Sequence, residues 1–150
     1  MPLPAALDEI RAEFLELEQK DRLLLLLEFS DELPDLPQRY VDHPDLMERV
    51  EECQAPVFIF AEVGAETEPG AGHPFALFAT APAEAPTTRG FASILVQGLS
   101  PLSAEEVLAL PVDFPFQLGL TEAVSPLRMR GMVGMLTRIK RLVSEQLALL

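Results

Sequence analysis

The chain has 150 residues, 49% of them hydrophobic and 23% charged, with 14 prolines, one cysteine, no tryptophan and no asparagine. This is the composition of one ordinary soluble domain whose core needs neither a disulfide nor a structural metal; one cysteine excludes an internal disulfide and, beside only two histidines, argues against a closed four-ligand zinc site. A net charge of −13 disfavours nucleic acid and anionic membrane as partners, because both reward clustered Lys and Arg.

The charge is unevenly spread. Residues 1–86 hold 19 of the 24 acidic residues and 5 of the 11 basic ones; residues 87–150 hold the remaining 5 and 6. The acidic part is either a solvated surface or a face for a basic protein partner. No apolar run approaches the ~20 residues of a membrane span. Met1-Pro2-Leu3-Pro4, followed by Asp8 and Glu9, lacks the basic start and apolar core of a secretory signal, so a cytoplasmic location is expected.

Leu7, Ile10, Phe14 and Leu17 recur at spacings of three and four between acidic residues, which predicts an amphipathic helix. A second helix is expected from Asp21, as its N-cap, through Leu23–Leu27 to Leu33, stopped by Pro34 and Pro37. Its all-round aliphatic run predicts a position at the centre of the fold. Pro34 to Pro44 reads as an irregular polar stretch.

Val57–Val63 is rich in β-branched and aromatic residues and predicts a strand starting after Pro56. Phe75–Ala79 predicts its antiparallel partner across a long turn-forming connection that includes Gly70 and Gly72. A short strand at Glu48–Glu51 would pair alongside. Helical periodicity returns around Phe91–Leu99. Ser103-Ala104-Glu105-Glu106 has the form of a capping box and opens a short helix ending at Pro111. Ser125-Pro126 supplies an N-cap with proline at the first helical position. The stripe that follows is Met129, Met132, Val133, Leu136, Ile139, Val143, Leu147 and Leu150, on a helix that also carries Arg128, Arg130, Arg138, Lys140 and Arg141. Helices, then strands, then helices describe a segregated α+β domain.

Cys53 is the strong nucleophile candidate, in the polar segment Glu51-Glu52-Cys53-Gln54-Ala55-Pro56, which predicts a loop. It is either a buried small hydrophobe or a reactive thiol, and Glu48, Glu51 and Glu52 would raise its pKa, so a reactive thiol requires a basic group from elsewhere. A solitary thiol has no resolving partner for C-x-x-C redox chemistry and holds no iron–sulfur cluster alone. It can carry a group between proteins as a persulfide, thioester or adduct. A cysteine hydrolase would need His43 or His73, both expected at the surface, with an acid replacing the absent asparagine. Met129, Met132 and Met135 read as core fillers.

Several segments, in order over nearly the whole chain, resemble the SufE family, the sulfur-accepting partners of cysteine desulfurases in iron–sulfur cluster assembly. They are Asp21-Arg22 leading to Glu32-Leu33-Pro34-Asp35-Leu36, Val50-Glu51-Glu52-Cys53-Gln54-Ala55-Pro56-Val57, Arg89-Gly90, Phe116–Leu120, and Ser125-Pro126-Leu127-Arg128-Met129-Arg130-Gly131. The resemblance implies residues 1–150 as a single SufE-like α+β domain, a small three-stranded antiparallel sheet packed by N- and C-terminal helices and similar to IscU-type scaffolds. It implies Cys53 as the persulfide acceptor and Arg128, in the S-P-x-R-x-x-G motif, as support for its thiolate; from the residues alone Arg128 is a solvent-exposed base. Where the family usually has glycine before the cysteine, serine two after it and tryptophan in the next strand, this chain has Glu52, Ala55 and Phe58.

The function implied is that of a sulfur carrier, an accessory to a SufS-like cysteine desulfurase that stimulates it and passes sulfur to a SufBCD-like scaffold assembly. No cofactor is expected on this chain, since pyridoxal phosphate would reside on the desulfurase. Cys53 is expected to be shielded in the free protein, with its loop moving on docking. The alternative is a regulatory binding module that modulates a desulfurase or another enzyme without accepting sulfur.

Overall fold

A computed structural model describes residues 3–150. Helix α1 (Ala5–Glu16) buries Leu7, Ile10 and Phe14 of the expected stripe, while Leu17 caps its end and is half-buried. Helix α2 (Gln19–Asp31) begins two residues before Asp21, which lies in its first turn and is not its N-cap; Glu18 holds that position. The helix is also not central. Within Leu23–Leu27 only Leu26 is fully buried, and Leu24 is 58% exposed. Five consecutive leucines cover every azimuth of a helix, but only the side facing a neighbour is removed from water.

The central element is α4 (Pro86–Leu99), which buries Phe91, Ile94, Leu95 and Leu99 and packs against α1, α2, β3 (Phe75–Thr80) and α6 (Pro126–Ala148). It starts five residues earlier than the apolar periodicity indicated, with Pro86 in the first turn. Gly90 permits the α2–α4 contact, since a Cβ there would stand 2.5 Å from the Leu26 carbonyl oxygen. Arg89 binds the same region, donating from Nε to the Ser30 carbonyl at 2.9 Å and from Nη1 to the Ala81 carbonyl at 2.6 Å.

The sheet contains β1 (Glu48–Arg49), β2 (Phe58–Val63) and β3 (Phe75–Thr80), antiparallel in that order. Ile59 faces Ala79, Ala61 faces Leu77 and Val63 faces Phe75. This side carries the buried residues of both strands and packs on α4 and on α6 (Pro126–Ala148). The other side is covered by α3 (Gln38–Asp42), a helix inside the stretch read as irregular. There Tyr40 sets its ring 5.8 Å from Phe60 and 5.1 Å from Phe78 and donates to Glu62 at 2.6 Å. One aromatic residue thus anchors a helix too short for periodicity to reveal.

Helix α5 (Ala104–Ala109) has both arms of the expected capping box. In α6 the Ser125 side chain accepts from the Arg128 N–H, as expected. The three methionines are buried, as are Leu136, Ile139, Leu142 and Val143. Val133 is only half-buried, and Leu150 lies beyond the helix and is 62% exposed.

Candidate functional site

Cys53 sits in the connection between β1 and β2. The Val50 N–H donates to the Val57 carbonyl at 2.9 Å and closes this loop at its base, while the Cys53 N–H donates to the Val50 carbonyl at 3.1 Å. The loop turns its polar side chains to water and its sulfur inward. Glu51, Glu52, Gln54 and Pro56 are exposed, whereas Cys53 is only 7% exposed.

The burial depends on α6. A Cβ at Gly131 would stand 3.0 Å from Cys53 Sγ, and one at Gly134 would stand 2.6 to 2.8 Å from the Glu52 side chain. Two glycines three residues apart lie on one helix face. They remove the side chains that would otherwise hold the loop away, so the last glycine of the S-P-x-R-x-x-G motif is explained by packing against sulfur.

Beside the thiol lies a cavity of about 190 Å³, lined by Cys53, Gln54, Thr88, Ser125, Leu127 and Arg128 among others. The cysteine loop, the start of α4 and the start of α6 therefore converge on one place, Thr88 bringing in the helix start that the sequence had not placed at the site. Arg128 lines this cavity, is exposed, and has no ion-pair partner among the described residues. His73 is elsewhere: its Nδ1 lies 2.9 Å from a Glu105 oxygen, and it does not line the cavity. His43 is exposed in the segment before β1.

Burial pushes the Cys53 thiol up to about 11, and the charge of Glu52 adds to the rise. The opposing cation is Arg138, whose importance the sequence did not reveal. Its guanidinium grips Glu52 through two bonds of 2.8 Å, from Nε to Oε2 and from Nη2 to Oε1, while Nη1 reaches Glu48 at 2.9 Å. Arg141 joins Glu48 and Glu145. The grip of Arg138 holds the Glu52 carboxyl below its ordinary range. Burial opposes ionisation of Glu48, but hydrogen bonds from Arg141 and Arg138 prevail and lower its pKa. Of the three acids near Cys53 in sequence, Glu52 alone raises the thiol; Glu48 is engaged with arginines. The signal available in the sequence was the spacing of Gly131, Gly134, Arg138 and Arg141, which places all four toward one side of α6.

A second, more open groove of about 560 Å³ adjoins the loop, lined by Phe116, Arg130, Val133 and Thr137 beside Glu52, Gly134, Arg138 and Arg141. Among the described residues no group of three or more His, Cys, Asp or Glu is placed to hold a metal ion, and no helix is long and apolar enough to cross a membrane.

These features define an α+β protein with one shielded, loop-borne thiol in a small cavity. The family model for SufE, the Fe–S metabolism associated domain, matches residues 8–143. An uncharacterised SufE-like protein of Mycobacterium tuberculosis is 48% identical over 143 residues, covering 95% of this chain and 94% of that one. A SufE-like protein of Arabidopsis thaliana, described as chloroplastic/mitochondrial, is 27% identical over 140 residues, which are 93% of this chain and 35% of that longer protein. The solution structure of a hypothetical protein from Thermus thermophilus superposes with a TM-score of 0.78 at 33% identity, covering 98% of this chain and 99% of that one. The chain belongs to the SufE family, and its fold is the α+β fold expected from the sequence.

Proposed function

We propose that this protein accepts sulfur on Cys53 from the persulfide of a SufS-like cysteine desulfurase and delivers it to a SufBCD-like scaffold for iron–sulfur cluster assembly. The Cys53 thiolate attacks the terminal sulfur of the desulfurase persulfide. The sulfur–sulfur bond of the donor breaks, its cysteine leaves as a thiolate, and a new sulfur–sulfur bond forms on Cys53 with no net oxidation. Removing the persulfide frees the desulfurase for another turnover, so the carrier also stimulates it. Pyridoxal phosphate acts on the desulfurase, and this chain works as an accessory rather than as a free-standing enzyme.

The observation that carries the reading is a solitary cysteine on a short loop, turned into a cavity of about 190 Å³ beside Arg128. A protonated, 7% exposed thiol is a poor nucleophile. Transfer therefore requires the loop to move when the partner docks, which exposes the sulfur and lowers its pKa together. In this reading the exposed, unpaired Arg128 supports the thiolate and the persulfide anion at the cavity mouth.

The burial and high pKa of Cys53 also favour a regulatory module that acts on a desulfurase by contact alone. Intact-mass spectrometry after incubation with an active desulfurase and cysteine separates the two. Gain of one sulfur by the wild type and not by Cys53→Ser is the expected result. No added sulfur, with stimulation retained in Cys53→Ser, refutes the carrier and establishes the regulator.

A further inference from the structure

Between Val50 and Val57 the loop is held to α6 by two contacts: Cys53 against Gly131, and Glu52 over Gly134 in the grip of Arg138. Gln54 and Pro56 are exposed, and the exposed Glu51 forms no ion pair among the described residues. Arg138 is itself held in place, because its third nitrogen binds Glu48 on β1 and Glu48 is bound by Arg141 one turn further along α6. A guanidinium fixed from one side and forked onto a carboxylate on the other is preorganised, so little side-chain freedom is lost in making the bond.

We propose that the Glu52–Arg138 pair is a latch: Arg138 is a positioning residue that holds the cysteine loop shut through Glu52, and release of Cys53 requires this pair to break. The purpose of the latch rests on the carrier reading, but its existence does not. The loop opens only when Glu52 leaves Arg138 and Cys53 leaves Gly131, so removing the first contact raises the open fraction by what that contact contributes. For a forked pair with side chains 39% and 23% exposed, the increase is roughly two- to fivefold.

Amide-resolved hydrogen exchange on the full chain tests this, read at Val50, Cys53 and Val57, whose N–H groups are all bonded within the loop. Glu52→Ala and Arg138→Met should each lower protection there by about two- to fivefold. The double variant should go no further than the larger single, because Glu52→Ala removes only the contact with Arg138, which Arg138→Met has already removed. Arg138→Lys should recover part of the protection. Amides of β2 and β3 should keep theirs, which separates local opening from loss of the fold. Unchanged loop protection in the singles, a double equal to the product of the two, or loss spread equally over the sheet overturns the latch.

The pH profile of Cys53 alkylation distinguishes a latch from an electrostatic effect. It should move down in Glu52→Ala and up in Arg138→Met, because one variant removes the nearby anion and the other the nearby cation. Loop opening should rise in both. Opening that follows the pH profile, up in one variant and down in the other, refutes the proposal. These readings need no partner protein; if the wild type accepts no sulfur from a desulfurase, the carrier reading fails while the exchange result stands.

Discussion

Titration of Cys53 converts its burial into a measurable dependence of stability on pH. The thiol is raised from an ordinary 9.0 to about 11, first by burial and then by Glu52. Below pH 9 the cysteine is protonated in both the folded and unfolded chains and favours neither. Between pH 9 and 11 the unfolded chain loses the proton and the folded one keeps it, so stability falls as pH rises, by roughly 2–3 kcal/mol across the window. Tyr40, raised to about 12 by burial and its bond to Glu62, adds a loss of the same sign. The relevant quantity is therefore the difference between the wild type and Cys53→Ser, in which the tyrosine cancels. Urea unfolding at pH 8 and at pH 10.5 should show the wild type losing more stability than the variant, by about 2 kcal/mol. In parallel, alkylation of native Cys53 should be about a hundredfold slower than that of the urea-unfolded chain at pH 7.5, still climbing tenfold per pH unit at pH 10, where the unfolded chain has levelled off. Parallel loss of stability in the two proteins, or a native alkylation rate that levels off near pH 9, would refute the account of a protonated, shielded thiol.

Three further substitutions test how the site is supported. Gly134→Ala puts a Cβ within 2.6 to 2.8 Å of the Glu52 side chain and should loosen the cysteine loop in hydrogen exchange. Its thermal midpoint should nevertheless hardly change, since alanine contributes about 1 kcal/mol of helix propensity. Gly90→Ala meets the Leu26 carbonyl, backbone that cannot swing aside, and should lower stability by roughly 1–3 kcal/mol in denaturant titration; an unchanged midpoint would contradict the close α2–α4 packing. Arg22→Lys should cost on the order of 2 kcal/mol despite keeping the charge. Its guanidinium serves the carbonyls of Phe14, Leu17 and Gly119 at once, and equal thermal midpoints would show that one point charge suffices.

The helices at Leu7–Phe14 and Met129–Val143 and the two long strands were legible because each turns one face to the core and the other to water or a thinner cover, which writes the period of the element into the sequence. The capping box at Ser103 and the Ser125-Pro126 start were legible because they are satisfied within four residues. Where burial depends on a distant partner, local pattern misled. The leucines at 23–27 looked central, yet only Leu26 is fully buried, and α3 was invisible because it is held by Tyr40 against two strands rather than by a stripe of its own.

The same division runs through the site. The sequence by itself determined that one thiol is available, that it lies on a loop, and, by resemblance, that Arg128 and the glycine-bearing start of the last helix accompany it. Only the tertiary structure decided that Gly131 shields the sulfur and that Gly134 lies beneath Glu52. It also turned Glu52 from a mere like-charge neighbour into the carboxylate held by Arg138. The reason is physical: a carboxylate's effect on a neighbouring thiol depends on which cation holds it, and that cation stands 86 residues further along the chain.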